Sequence, residues 1–257
     1  MSALTNLLGT LAMTTAFAQG AAAAEAPPSV VIVHGAFADG SDWSRVIALL
    51  QAKGVSVTAV QNPLTSLADD AASARRAIEL QKGKVVLVGH SWGGTVITEA
   101  GTHDKVAALV YVAAFAPDAG QSSNELAKPY PLPPGIARLV PDAHGFLRLP
   151  EDALREDFAQ DVPSEQARIM AATQGPVQGK AFDEKVAHAA WKSKPAWYIV
   201  SSQDRMIQPA LQRALAQRIK ARITELDASH VPQQSKSAEV ARVILDAVAS
   251  ASTNKAR

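Results

Sequence analysis

The hydrophobic residues of this chain alternate between short β-branched runs and longer stretches with helical spacing. The run 30–33 is followed by apolar residues at 43, 46, 47 and 50, which is the spacing of one helix face. Strands are predicted in this way over 30–33, 55–60, 84–88, 106–114, 196–200 and 223–226, with helices over 43–50, 66–83, 92–101, 209–219 and 240–248. Because the strands are apolar on both faces, they predict a buried, mostly parallel six-stranded sheet flanked by helices, an α/β fold.

One long segment, at about 117–195, interrupts this alternation. It holds most of the fifteen prolines, short helical patterns over 151–158 and 165–172, and no convincing strand pattern. A structureless loop of this length is improbable inside a compact domain. We therefore expect a helical insertion that folds over the edge of the sheet as a cap.

The composition fits one globular domain and excludes several other classes of protein. Hydrophobic residues make up 47% of the 257, enough for a sizeable core. The formal net charge is only +1 and no long basic run occurs, so nucleic acid is not an expected partner. The chain has no Cys, which excludes disulfides, thiolate metal sites and a Cys nucleophile.

The first 26 residues differ from the rest and resemble a secretory leader. An apolar stretch over 7–18 leads into an Ala-rich run, with small-residue cleavage positions at Ala18, Ala24 and Ala26, although no Lys or Arg precedes the stretch. A disordered or helical extension is the alternative. Cleavage predicts a periplasmic or secreted protein formed by residues 27–257, whereas an uncleaved leader predicts a cytoplasmic one. No other stretch is long and apolar enough for a membrane span, and no membrane partner is expected.

The sequence Gly-His-Ser-Trp-Gly at 89–93 carries the main chemical signal. It lies between a predicted strand and a predicted helix, the position of a nucleophilic serine on a sharp turn. Neighbouring residues crowd such a turn, and glycine is the residue that avoids the clash. Ser91 is therefore the predicted nucleophile, and the alternative is a helix N-cap in a Gly-rich turn.

A serine hydroxyl needs a histidine base and a carboxylate that orients this base. Asp204 follows the strand predicted over 196–200, and His230 follows the strand predicted over 223–226. The chain order Ser, Asp, His matches that of a nucleophile-elbow hydrolase. Asp118, after an earlier strand, is the alternative acid.

The oxyanion of a tetrahedral intermediate needs two N–H donors. One is predicted at Trp92, directly after the nucleophile, and the other at Ala36, in the turn after the first strand. Gly35 would let that turn approach the serine. The alternative is that this turn only ends the strand.

These motifs resemble those of the α/β-hydrolase superfamily, from about Ser29 to the last helix. The pattern from His34 to Trp43, with the run 89–94, is similar to a small branch of plant methylesterases, hydroxynitrile lyases and bacterial esterases. The resemblance implies a six-stranded parallel sheet beneath a helical cap. Lyases of this branch carry Thr where this chain has Gly35 and Lys where it has Val231, so the resemblance favours ester hydrolysis.

The sequence therefore predicts a serine hydrolase that cleaves small carboxylic esters through an acyl-enzyme. Perhydrolase or haloperoxidase activity, lyase activity and a non-catalytic small-molecule binding module are the alternatives. Gly35, Phe37 and Trp191 are predicted at the substrate site. The six His show no metal-ligand spacing and no nucleotide motif occurs, so no metal and no cofactor are expected. A small-molecule ester is the expected partner, and the oligomeric state is left open.

Overall fold

A computed structural model describes residues 27–253, and the predicted leader at 1–26 lies outside the described residues. Six strands form one sheet in the order β2-β1-β3-β4-β8-β9, and every neighbouring pair is parallel. The predicted six-stranded parallel sheet is confirmed. The strands are β1 (Ser29–Val33), β2 (Val57–Val60), β3 (Val85–His90), β4 (Val106–Val112), β8 (Ala196–Ser201) and β9 (Arg222–Leu226).

Helices connect the strands and cover both faces of the sheet. Described in chain order, they are α1 (Ser44–Gln51), α2 (Leu67–Glu79), α3 (Trp92–Ala100), α4 (Ser123–Ala127), α5 (Glu151–Ala153), α6 (Ser164–Thr173), α7 (Pro209–Arg218), α8 (Pro232–Ser235) and α9 (Ser237–Thr253). Alternate residues of the central strands point to opposite faces. Val30 and Ile32 pack with α1 and α9, whereas Val31 and Val33 pack with α2, α3 and α7. The sheet therefore has a buried core on each face, so these strands do not alternate polar and apolar residues.

The segment between β4 and β8 contains more than helices. Besides α4, α5 and α6 it forms a small antiparallel sheet of β5 (Val140–Pro141), β6 (Phe146–Arg148) and β7 (Val177–Gln178). The prediction that this segment lacks strands is therefore wrong. Strands of two or three residues are too short to show periodicity, and the Asp142 carboxylate, which accepts the N–H of His144 and Phe146, closes the turn between β5 and β6.

The order of the strands determines where a site forms. From β1 the chain crosses to β2 on one side, then returns to β3 on the other side. The loops after β1 and β3 therefore diverge at a topological switch point, where parallel α/β sheets commonly bind ligands. Within residues 27–253, no helix has the length and apolar character needed to cross a membrane.

Candidate active site

Ser91 occupies a strained turn at the carboxyl end of β3. The strand ends one residue before it, α3 begins one residue after it, and its backbone has φ 53° and ψ −119°. A non-glycine residue pays a conformational cost there, which the surrounding packing must offset. A Cβ on Gly89 would lie 2.5 Å from the carbonyl oxygen of Gly93, and a Cβ on Gly93 would collide with the carbonyl oxygen of Val33. The two glycines thus allow the turn to hold Ser91 tightly between β1 and β3.

Asp204 and His230 meet at the same end of the sheet. Asp204 follows β8 and His230 follows β9, and His230 Nδ1 lies 2.7 Å from Asp204 Oδ2. Both side chains are almost completely buried, with exposures of 1% and 0%. A carboxylate can only accept, so the imidazole donates from Nδ1 and keeps Nε2 for a second partner. The alternative acid, Asp118, instead forms an ion pair with Lys192.

The carboxylate of Asp204 is held by three further donors. Oδ1 accepts the backbone N–H of Met206 at 2.7 Å and of Ile207 at 2.9 Å. Oδ2 accepts the Nε2 amide of Gln212 at 2.6 Å, and the Oε1 of Gln212 accepts the N–H of Ser201 at 3.0 Å. Gln212 is fully buried on α7, and no sequence pattern indicates its role. Together these bonds fix the direction in which Asp204 faces the imidazole.

Ser91 and His230 line the same cavity, but they are not hydrogen-bonded. In the described part of the chain, Ser91 Oγ makes no hydrogen bond with the imidazole or another group. In sites without substrate, such bonds are often long and shorten when substrate binds. The geometry therefore brings the predicted nucleophile, base and acid to one end of the sheet, with the acid and base already joined.

The two predicted oxyanion donors flank Ser91. Across residues 27–253, the backbone N–H of Ala36 and that of Trp92 have no acceptor. Gly35 lies directly behind the nucleophile, because a Cβ there would be 2.8 Å from Ser91 Cβ. The Trp92 ring points away into the core, where Nε1 donates to Asp70 Oδ2 at 2.7 Å. Both N–H groups are thus free to bind an oxygen near Ser91.

A buried histidine fixes the turn that carries Ala36. The backbone N–H of Asn62 donates to His34 Nε2 at 2.9 Å, so His34 donates from Nδ1 to the carbonyl of Gly35 at 2.8 Å. The side chain of Asn62 also donates to the carbonyl of His34 at 3.0 Å. Burial lowers the pKa of His34, which keeps the ring neutral and able to accept from Asn62. This role of His34 is not apparent from the sequence motifs.

Two aromatic rings contact the imidazole of His230. The His90 ring lies 4.8 Å away between centroids, and its Nε2 donates to the carbonyl of His230 at 2.8 Å. Burial, and then the proximity of His230, lower the pKa of His90 well below its usual value, so His90 is neutral. The Phe158 ring packs edge-on against His230 at 5.0 Å and is fully buried.

The cavity beside Ser91 has a volume of about 480 Å³ and mostly apolar walls. Phe37, one of the residues predicted at the substrate site, lines this cavity together with Tyr130 from the segment between β4 and β8. Trp191 was also predicted at the substrate site, but it does not line the cavity. Its Nε1 instead donates to the carbonyl of Pro117 at 2.9 Å, and the Arg218 guanidinium lies over its ring. Within residues 27–253, no group of three or more His, Asp or Glu side chains is arranged to bind a metal ion.

Comparisons with known proteins agree with the observed fold. A family model described as "Alpha/beta hydrolase family" matches residues 30–243. The pyrethroid hydrolase of Sphingobium wenxiniae is 26% identical, covering 84% of this chain and 86% of its own. Methylesterase 8 of Arabidopsis thaliana is also 26% identical, covering 71% of this chain and 75% of its own. The crystal structure of polyneuridine aldehyde esterase superposes with a TM-score of 0.74 at 19% identity, covering 86% of this chain and 99% of that one.

Proposed function

Because the chain belongs to the α/β-hydrolase family, as its motifs predicted, we propose that it cleaves small carboxylic esters through Ser91, His230 and Asp204. The observation that carries this proposal is the 2.7 Å hydrogen bond between Asp204 and His230 beside the strained turn of Ser91. A binding module would have no use for a buried acid-base pair whose histidine shares a cavity with a serine on a strained turn. The hydrolase and esterase names of its relatives support the same reaction class.

In the first half of the reaction, Ser91 Oγ attacks the ester carbonyl carbon while His230 Nε2 takes the hydroxyl proton. The carbonyl oxygen becomes an oxyanion that receives the N–H groups of Ala36 and Trp92. Asp204 holds the imidazolium in place. The intermediate then expels the alcohol, which takes its proton from His230, and leaves the acyl group on Ser91.

In the second half, water replaces the alcohol. His230 removes a proton from water as the oxygen attacks the acyl carbon, and then returns that proton to Ser91 Oγ. The carboxylic acid leaves and the enzyme is restored. Every proton passes through His230, and the scheme uses only Ser91, His230, Asp204 and the two backbone N–H donors.

The cavity favours an ester with an apolar acyl or alcohol group. Its volume of about 480 Å³ suits a small molecule, and its lining is dominated by aliphatic and aromatic side chains. Leu139, Leu211 and Phe182 are among them, and Lys128 is the one Lys, Arg, Asp or Glu that lines it in the described chain. A pyrethroid hydrolase and a methylesterase are among the relatives, which agrees with the proposed substrate class.

Two positions argue against lyase chemistry. A Cβ on Gly35 would lie 2.8 Å from Ser91 Cβ and 2.9 Å from His90 Nδ1, so a threonine side chain does not fit there without displacing the nucleophile. Val231 is fully buried and apolar, where the lyases of the branch carry Lys. The site thus lacks both polar groups that the resemblance associates with cyanide release.

Hydrolysis of p-nitrophenyl acetate by purified protein tests the proposal. Ser91→Ala should lower kcat by at least about 1,000-fold, because the nucleophile is lost, with little change in the melting temperature. Ser202→Ala, an equally small change on the loop that carries Asp204, should keep wild-type activity. Ser91→Ala that retains a tenth of the activity would contradict the assignment. Inactive wild-type protein that oxidises halide with peroxide would favour the haloperoxidase alternative instead.

We also propose that the protein is exported, on the evidence of the leader pattern at 1–26. N-terminal sequencing of protein expressed from the full chain tests this. A mature N-terminus that follows Ala18, Ala24 or Ala26 would support export, whereas protein retained in the cytoplasm with Met1 or Ser2 at its N-terminus would contradict it.

A further inference from the structure

Four residues within 157–161, in the segment between β4 and β8, together contact the two loops that carry the acid and the base. These four, Asp157, Phe158, Gln160 and Asp161, are named the clamp. Asp157 and Gln160 bond residues that flank Asp204, whereas Phe158 and Asp161 contact His230 and its neighbour. The two loops come from different strands, so one short segment joins them.

On the acid side, Asp157 is the stronger contact. Its carboxylate is 3% exposed and accepts from Arg205 Nε at 2.6 Å and from Arg138 Nη1 at 3.1 Å. Gln160 Nε2 donates to the carbonyl of Gln203 at 2.7 Å. Arg205 and Gln203 are the two neighbours of Asp204, so the loop is held on both sides of the acid. The Asp157 carboxylate is buried whereas the Arg205 side chain is half-exposed, so loss of an arginine would leave a buried carboxylate with fewer donors.

On the base side, the contacts reach the histidine itself. Asp161 Oδ2 accepts the N–H of Ser229 at 2.9 Å, one residue before His230. The Phe158 ring packs against the imidazole at 5.0 Å. Residues Leu154–Phe158 form a π-helical turn. Its last two residues have different partners, because Asp157 contacts Arg205 beside the acid and Phe158 contacts His230.

Phe158 covers part of the base. Ser91 and His230 line the apolar cavity, whereas Asp204 lines a polar groove of about 720 Å³ together with Gln160 and Asp161. Phe158 lines neither of them, is fully buried, and packs its ring edge-on against the His230 imidazole. The packed ring therefore restricts the orientations open to the imidazole.

We propose that the clamp positions Asp204 and His230 for the reaction and that its members Asp157, Phe158 and Asp161 are positioning residues. The proposal rests on the proposed function, because it concerns the same three side chains. It assigns a task to the segment between β4 and β8 beyond forming the wall of the cavity. Loss of the clamp should therefore lower kcat more than it changes KM, since substrate contacts stay in place.

The test compares Asp161→Ala with Asp161→Asn and with Glu156→Gln. Asp161→Ala removes the acceptor of the Ser229 N–H, whereas the amide oxygen of Asn retains one. Glu156 bonds Arg138 at 2.7 Å but contacts neither loop, so Glu156→Gln is the matched control. We expect Asp161→Ala to lower kcat about tenfold, which corresponds to about 1.4 kcal/mol of transition-state stabilisation. Asp161→Asn should restore most of kcat, and KM should change less than twofold in all three variants.

Asp157→Ala and Phe158→Leu extend the test to the other contacts. Each should lower kcat by about tenfold or more and shift the acidic limb of the kcat profile against pH, because the environment of the His230 imidazole changes. A readout independent of turnover is the downfield proton resonance of the His230 Nδ1–H that Asp204 holds. This resonance should broaden or shift in both variants and remain unchanged in Glu156→Gln.

The outcomes distinguish the two proposals. If Ser91→Ala is active, the proposed function fails, whatever the clamp variants do. If Ser91→Ala is inactive but Asp161→Ala, Asp157→Ala and Phe158→Leu stay within twofold of wild type in kcat with an unchanged resonance, the clamp proposal is overturned. Equal losses in Glu156→Gln and Asp161→Ala would overturn it as well, because they would reflect general destabilisation.

Discussion

Replacement of Gln212 by Leu is expected to lower both the stability of the fold and kcat. The Gln212 amide is fully buried and makes three hydrogen bonds, to Asp204 Oδ2, to the carbonyl of Ile207 and from the N–H of Ser201. Leucine is similar in size but can make none of them. Three buried polar groups would therefore each lose a partner.

The magnitude follows from these three groups. Each unpaired buried group costs about 1–3 kcal/mol. Leucine has no polar amide to bury, and this gain offsets part of the total cost. We expect the free energy of unfolding to fall by about 2–4 kcal/mol. Asp204 keeps two backbone donors and the bond to His230, so kcat should fall only about tenfold, compared with about 10⁴-fold for loss of the acid's function.

Urea unfolding and ester hydrolysis measure the two effects. Gln217→Leu is the control, because Gln217 lies on the same helix, α7, but is exposed, and such a substitution should stay within about 0.5 kcal/mol of wild type. If Gln212→Leu is as stable and as active as Gln217→Leu, the three hydrogen bonds of Gln212 do not have the proposed effect.

Three further predictions concern other parts of the molecule. Burial and the nearby Asp39 raise the pKa of Asp42 to about 7, so the folded protein binds this proton more tightly than the unfolded chain and loses stability as pH rises from about 4 to about 7. Asp42→Asn should therefore stabilise the protein by about 2–3 kcal/mol more at pH 8 than at pH 5 in urea unfolding, and an equal effect at both pH values would contradict this. Gly35→Ala should lower kcat about 100-fold, because its Cβ would displace the nucleophile; unchanged kcat would show that the turn can shift freely. Phe182→Ala should raise KM for small esters about tenfold with little change in kcat, because a cavity wall is lost; a selective fall in kcat would place this ring nearer the chemistry.

The fold and the meeting of Ser91, Asp204 and His230 at one end of the sheet could be predicted from the sequence because their signals are local. Each of the three residues follows a predicted strand, and the order of these strands along the chain already brings the three residues to one end of a parallel sheet. The glycines around Ser91 are likewise a local requirement of a sharp turn. Such patterns do not depend on which distant segments pack together.

The supporting residues could not be predicted in this way. Gln212 has the sequence appearance of an ordinary polar helix residue, and only the contact with Asp204 gives it a role. Phe158 ends a short helical pattern and Asp161 lies beyond it, and their partners lie about 70 residues away. Trp191 was expected at the substrate site as an aromatic residue of the segment between β4 and β8, whereas its bond to the carbonyl of Pro117 holds it elsewhere. These positions depend on tertiary contacts between segments that are distant in the chain.

Reaction with a fluorophosphonate probe, followed by peptide mass spectrometry, measures nucleophilic reactivity at Ser91 directly. We expect one adduct per chain, on Ser91, and labelling that slows by orders of magnitude in His230→Ala while the variant stays folded. Folded wild-type protein that stays unlabelled, or that carries the adduct on another serine, would contradict the assignment of Ser91 as the nucleophile.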